Sequence, residues 1–247
     1  MGNLNQNINY DEFKLNLISD ILQLDCKSWQ GNYILHKSNN DMVLSYYKAL
    51  AFDDMLPGDV KRNAAQQFND LQLGFKDQFF VTFKDFNDII NDHYEYRYCK
   101  FYLLDDEGKL NFGLSFSKKN AIDIDLNNDK LFRLENEIFI PDNFLIKKNE
   151  FTKQDGFRDQ IKIKIPSKKV TEMIQFELPI IRDYNERVSH SFIIQKLKFT
   201  MLKFPADYED KYGNTYKSDR ISFSVKPYLP EVNDNLINDF DAGDLKP

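Results

Sequence analysis

Three histidines make up the whole imidazole inventory of the sequence: His36, His93 and His190. His93-Tyr94-Glu95 reads as H-x-E, and His190 follows it further along the chain. Two imidazoles and a carboxylate are a sound donor set for ferrous iron, because they leave the remaining coordination positions open to oxygen and a cosubstrate. Further on, Arg220-Ile221-Ser222 offers a cation and a hydroxyl suited to a carboxylate.

That order resembles the facial triad and 2-oxoglutarate anchor of Fe(II) oxygenases, which are built on a β jelly roll. The resemblance implies His93, Glu95 and His190 as iron ligands. The competing assignment places His93 at a helix C-terminus, where a cation suits the dipole, and His190 at the polar start of a strand.

Two other stretches invite a chemical reading. Asp123-Ile124-Asp125-Leu126-Asn127-Asn128-Asp129 has the acidic texture of a calcium loop. An EF-hand needs Gly at position six and Glu at position twelve. Those places hold Asn128 and Leu134, with Glu135 one place late, so a turn after a short strand is the expectation. Residues 147–169 carry 8 basic and 3 acidic side chains. Read as a strand from Gln160 to Ile165, this stretch puts Ile161, Ile163 and Ile165 on one face and Lys162 and Lys164 on the other. Lys162 and Lys164 are the candidate partner-binding residues, for phosphates or an acidic protein surface; otherwise they are a solvated face that discourages edge pairing. The sequence contains no Gly-rich phosphate loop, C-x-x-C, G-x-S-x-G or H-E-x-x-H.

The elements that must position these groups divide the chain into three. Residues 1–94 read as a mainly helical region. Asn9 caps a helix with Tyr10, Phe13, Leu17, Ile21 and Leu24 on one face. A second helix starts near Asn40, and Pro57-Gly58 stops it. A third runs from Asp59 through Val60, Ala64, Phe68 and Leu71. From Asp77 to Asn91 the spacing of Phe79, Phe83, Phe86 and Ile90 predicts a fourth.

Residues 95–230 read as an antiparallel β domain. Leu110, Phe112, Leu114 and Phe116 alternate with Asn111, Gly113, Ser115 and Ser117, which predicts a strand with one wet face. Asp105-Asp106-Glu107-Gly108 turns it back on Tyr96–Leu104. Further strands are predicted at 131–134, 137–140, 160–165, 175–181, 192–204 and 220–226, with Pro227 and Pro230 ending the sheet. The fold class is therefore α+β: a helical N-terminal third followed by an antiparallel β-sheet or sandwich. Residues 231–247 form an acidic tail.

Aromatics at 15% supply core volume in a chain of 247 residues. A net charge of −6 argues against nonspecific binding of nucleic acid or anionic membrane by the whole surface. The charge is uneven: net −5 over residues 1–94, +3 over 95–230 and −4 in the tail. Cys26 and Cys99 are too few for a disulfide framework and suit a reducing compartment. The N-terminus lacks a signal-peptide pattern, and Gln6 breaks the myristoylation motif begun by Gly2. The expected location is the cytoplasm, or a virion if the gene is phage-borne.

The leading functional expectation is a structural or interaction subunit of a larger assembly, such as a phage virion, tail or secretion machine. It needs no cofactor and binds other protein subunits, with a homo-oligomer as one form of the assembly. The alternatives are the Fe(II) oxygenase and a soluble binding or immunity module. Residues 1–8 and the tail are expected to lie on other subunits. In the tail, Val232, Leu236, Ile237 and Phe240 would form a short amphipathic helix, with Leu236, Ile237 and Phe240 as partner-binding residues.

Overall fold

Strands β3 (Tyr98–Asp106) and β4 (Lys109–Ser117) form the expected hairpin. Asp106 faces Lys109, and the two residues between them, Glu107 and Gly108, have φ of 55° and 80°. Two successive left-handed residues make a type I′ turn, whose twist matches that of the strands it joins. The Gly108 amide also donates to Asp105 Oδ1 at 2.7 Å. The same solution joins β5 (Lys130–Glu135) to β6 (Ile138–Pro141), with Asn136 at φ 48° and Glu137 at φ 69°.

The structure is a computed structural model, and it describes residues 55–56, 58–191, 194–210, 213–228, 239–240 and 244–246. All of these belong to the unit formed by residues 50–247. The helix expected from Asn9 lies outside the described residues, as do the arm at 1–8, His36, Cys26 and the helix expected near Asn40, except at its end, where Met55–Leu56 is strand. The remaining elements are β1 (Met55–Leu56), α1 (Gly58–Asn69), β2 (Gln78–Thr82), α2 (Phe83–Asp92), α3 (Leu145–Thr152) and α4 (Phe157–Lys164). They continue with β7 (Met173–Glu177), α5 (Leu178–Ser191), β8 (Lys196–Lys203), β9 (Ile221–Tyr228), β10 (Asp239–Phe240) and β11 (Asp244–Lys246). No described helix is long and apolar enough to cross a membrane.

The strands make two antiparallel sheets, of order β1-β10-β9-β8-β2 and β11-β7-β3-β4-β5-β6. Their inner faces meet through phenylalanines. Phe101 lies 5.8 Å from Phe199 and 5.1 Å from Phe223, and Phe112 lies 4.6 Å from Phe79 and 5.3 Å from Phe223, between ring centroids. Two such sheets sharing one apolar interior are a sandwich. Phe86 of α2 reaches the same interior, 6.3 Å from Phe199 and 6.1 Å from Phe139.

The outer faces are covered as well. On one sheet, Ala64 of α1 packs with Leu202 and Phe204. On the other, Tyr102, Leu104, Phe144 and Met173 cluster under Ile122 and Ile124 of the loop after β4. Lys100 Nζ donates to Ala121 O at 2.8 Å, and the Tyr102 hydroxyl to Ile122 O at 3.1 Å. The wet face expected of β4 is therefore covered: Ser115 and Ser117 are buried. Small residues there admit close neighbours, and a Cβ at Gly113 would lie 2.8 Å from the Phe144 ring.

Other expectations need correction. Residues 160–165 are not a strand: 160–164 belong to α4, and Ile165 caps it. Phe157, Ile161 and Ile165 recur every four residues and are buried, while Ile163 is left outside. Residues 77–91 are not one helix, because β2 precedes α2; Phe79 and Val81 are buried by strand alternation, Phe83, Phe86 and Ile90 by helical spacing. The strand expected at 175–181 ends at Glu177, and α5 begins. Pro179 sits in its first turn, where a missing N–H costs nothing. Pro227 does not end the sheet; it faces Leu197 within β9. The Phe204 amide donates to Arg220 O, so Leu197 and Pro227 fall on a pair without mutual hydrogen bonds.

β2, which precedes residue 94, pairs with β8 along its whole length, so the sheet draws strands from both sides of that position. The tail expectation also changes. Residues 239–240, at the end of the expected helix, are strand, and residues 244–246 form a second one; β10 pairs with β9 and β1, and β11 with β7. Those backbone segments join this chain's own sheets. Val232, Leu236 and Ile237 lie outside the described residues.

The turn between α3 and α4 gives a test of the packing. A Cβ on Gly156 would lie 2.6 Å from Glu150 O and 2.9 Å from Phe151 O. Backbone oxygens cannot swing aside as a flexible side chain does. Gly156→Ala is expected to lower stability by about 1–3 kcal/mol, read as a fall in the urea midpoint. An unchanged midpoint would mean that the turn is looser than described.

Candidate functional site

His93 caps the C-terminus of α2. Its Nδ1 donates to Ile89 O at 2.8 Å, and its ring stacks on Phe116 at 4.4 Å with Phe132 edge-on at 5.3 Å. Glu95 is exposed two residues later. His190 falls in the last turn of α5, and its side chain lies outside the described set. Arg220 is buried, with Nε donating to Thr171 Oγ1 at 3.3 Å, and Ser222 is buried in β9. Among the described residues, no group of three His, Cys, Asp or Glu side chains is placed to hold a metal ion.

The acidic stretch at 123–129 is a turn in which the Asp125 and Asp129 carboxylates are already used. Asp125 accepts from Lys119 Nζ at 2.9 Å and Asn128 Nδ2 at 3.0 Å, and Asp129 accepts from the Asp125 amide at 3.1 Å. Lys119 and Asn128 hold the Asp125 carboxyl at about 2.

Lys162 and Lys164 are exposed on the last turn of α4, with Ile163 between them at 82% exposure. Ile146 on α3 is also exposed, at 76%. The strip read from the sequence survives as a surface, although a helix carries it. Phe240 falls in β10, where only its backbone is described.

A concavity among the described residues has no counterpart among the sequence motifs. A cleft of about 620 Å³ opens between the two sheets. Its walls are the segment Gly74–Lys76, the start of β2, the β3–β4 turn and the β5–β6 turn, with Phe75, Phe79, Phe80, Leu110 and Leu134 as apolar lining. Arg133 organises one wall. Its guanidinium contacts Asp106 at 3.1 Å, Glu135 at 2.5 Å and Asp142 at 2.5 Å. Lys147 reaches the other Asp106 oxygen at 2.8 Å, and Asn111 Nδ2 donates to Asp106 at 2.9 Å. Burial alone would raise the Asp106 pKa; Lys147, Asn111 and Arg133 outweigh it and hold it below the usual carboxylate range. The network fixes both turns relative to each other. The paired turns are the sequence signal for this site: Asp105-Asp106-Glu107-Gly108 marks the first, and Asn136-Glu137 carries no glycine to mark the second.

The chain matches no family model, no curated protein and no solved structure.

Proposed function

We propose that the chain is a structural or interaction subunit of a larger protein assembly and docks through α4. The observation that supports this reading is the exposed run Lys162-Ile163-Lys164. Covering an aliphatic side chain of this size on a partner contributes about 1.5–3 kcal/mol. The flanking lysines would steer an acidic partner and fix its register. A virion, tail or secretion machine supplies such contacts repeatedly, so that modest interfaces add up.

Light scattering on size-exclusion fractions tests this with the full chain, alone and co-expressed with the proteins encoded beside it. A stable assembly of defined mass is expected. Reversing Lys162 and Lys164 to Glu should weaken it about tenfold or more, since rim charges set encounter and exclude wrong partners. A strict monomer with every neighbour, or an assembly indifferent to the reversal, would reject docking through α4.

A further inference from the structure

The edge of β2 looks into the cleft, and its backbone has a definite polarity. The Phe83 amide donates to Gln195 O at 2.8 Å, and the Met201 amide to Asp77 O at 2.8 Å. Odd-numbered residues of β2 therefore bond to β8, and even-numbered ones turn their N–H and C=O groups away from it. Thr82 uses its outward amide on Glu137 O at 2.7 Å, which closes one end of the edge against the β5–β6 turn. Towards the other end the edge is open among the described residues. β2 is the last strand of its sheet, and among the described residues the outward N–H and C=O of Gln78 and Phe80 have no hydrogen-bond partner.

We propose that this edge binds an extended acidic peptide of a partner protein, which adds to β2 as a further strand inside the cleft. Backbone donors and acceptors that recur every second residue are matched by another strand. The cleft provides apolar lining for alternate side chains of such a peptide. Its charge is read from the rim. Asp106 and Glu135 are held by Arg133, and Glu137 by Lys196 at 2.6 Å. Lys76 and Lys109 are exposed and have no carboxylate partner among the described residues; Lys76 Nζ lies 5.1 Å from the Phe79 ring centroid. Among the residues that line the cleft, the charges left uncommitted, Lys76 and Lys109, are positive. This site is distinct from α4, and the two readings fail separately.

Fluorescence anisotropy on the full chain tests the proposal, with a labelled, acetylated peptide of alternating valine and aspartate as probe. Saturable binding is expected, and the same peptide with lysine for aspartate should bind about tenfold more weakly or worse. Methylating alternate backbone nitrogens of the probe removes its donors to the edge and should weaken binding about tenfold. On the protein, Gln78→Pro deletes one outward N–H at a strand start where proline is tolerated, and K76E/K109E reverses the rim. Each should weaken the acidic probe to a similar extent while leaving the circular dichroism spectrum unchanged. If Gln78→Pro fails to fold, the methylated probe on the unmodified chain still decides. No saturable binding, equal binding of the lysine probe, or full affinity of the methylated probe would each overturn the proposal.

Discussion

Phe101→Ala is expected to lower the unfolding free energy by about 3–5 kcal/mol, the range for deleting a buried aromatic ring. Phe101 is 2% exposed and lies within 6.5 Å of six other rings: Phe86, Phe112, Phe139, Phe176, Phe199 and Phe223. Those rings come from both sheets and from α2, so one deletion loosens every layer that meets in the interior. Part of the cost is lost transfer energy and part is the cavity that rigid neighbours cannot close. Because strands of both sheets hold these rings, collapse into the void is restricted. Urea unfolding followed by tryptophan-independent far-UV circular dichroism gives the number. A loss below about 1 kcal/mol would show that the two sheets do not pack through this residue.

The second large effect is expected at Asp219. Its carboxylate is 5% exposed and lies 2.9 Å from Lys203 Nζ, itself 11% exposed. Oδ2 accepts from the Ser167 amide at 2.5 Å. Its backbone is left-handed, with φ of 52°, so asparagine is the substitution that tolerates the conformation and removes only the charge. Asp219→Asn leaves the Lys203 ammonium half-compensated by Gln67 Oε1 at 3.3 Å and Phe204 O at 3.4 Å. Breaking a buried pair from one side costs about 3–5 kcal/mol, and the residual acceptors reduce this to about 2–3 kcal/mol.

The pH dependence has a definite sign. Burial alone would raise the Asp219 pKa, but the Ser167 amide and Lys203 outweigh it and hold the carboxyl below its ordinary value. A depressed carboxylate contributes stability above its unfolded pKa, near 3.9, and loses it as pH falls through the folded value. The gap between wild type and Asp219→Asn is therefore expected at neutral pH and should close as the pH is lowered below about 4. A gap independent of pH would show that the pair is not ionised in the folded chain.

What the sequence made legible was local. The β3–β4 hairpin was readable because Gly108 offers a left-handed turn and the flanking residues alternate. Helix α1 was readable because Ala64, Phe68 and Leu71 keep one spacing. Misreadings arose where two periods coincide. Ile161 and Ile165 satisfy both a step of two and a step of four, and only the fold shows that Ile163 stays outside. The run after Phe176 is apolar enough to extend a strand, and the helix signal, Pro179 in a first turn with Ile181, Tyr184 and Val188 beyond it, needed longer spacing to emerge. Alternation on β4 reported polarity and not coverage, because Ser115 and Ser117 are small enough to lie under a loop. Apart from its two turns, the cleft had no local signature. It exists only because β2 from one sheet comes alongside two turns of the other.

The strands supplied after Tyr228 bear on how the protein is made. During translation at about 5–20 residues per second, the β3–β4 hairpin closes on itself as soon as Ser117 is free. Strands β9 and β7 must wait for Phe240 and for residues 244–246 before these flanks are occupied. Until then the nascent chain carries two bare strand margins, each a template for a neighbour on the same polysome. Chaperone capture on the ribosome should concentrate on that interval. Shortening the chain before Asp239 should cost yield through aggregation more than through lost equilibrium stability.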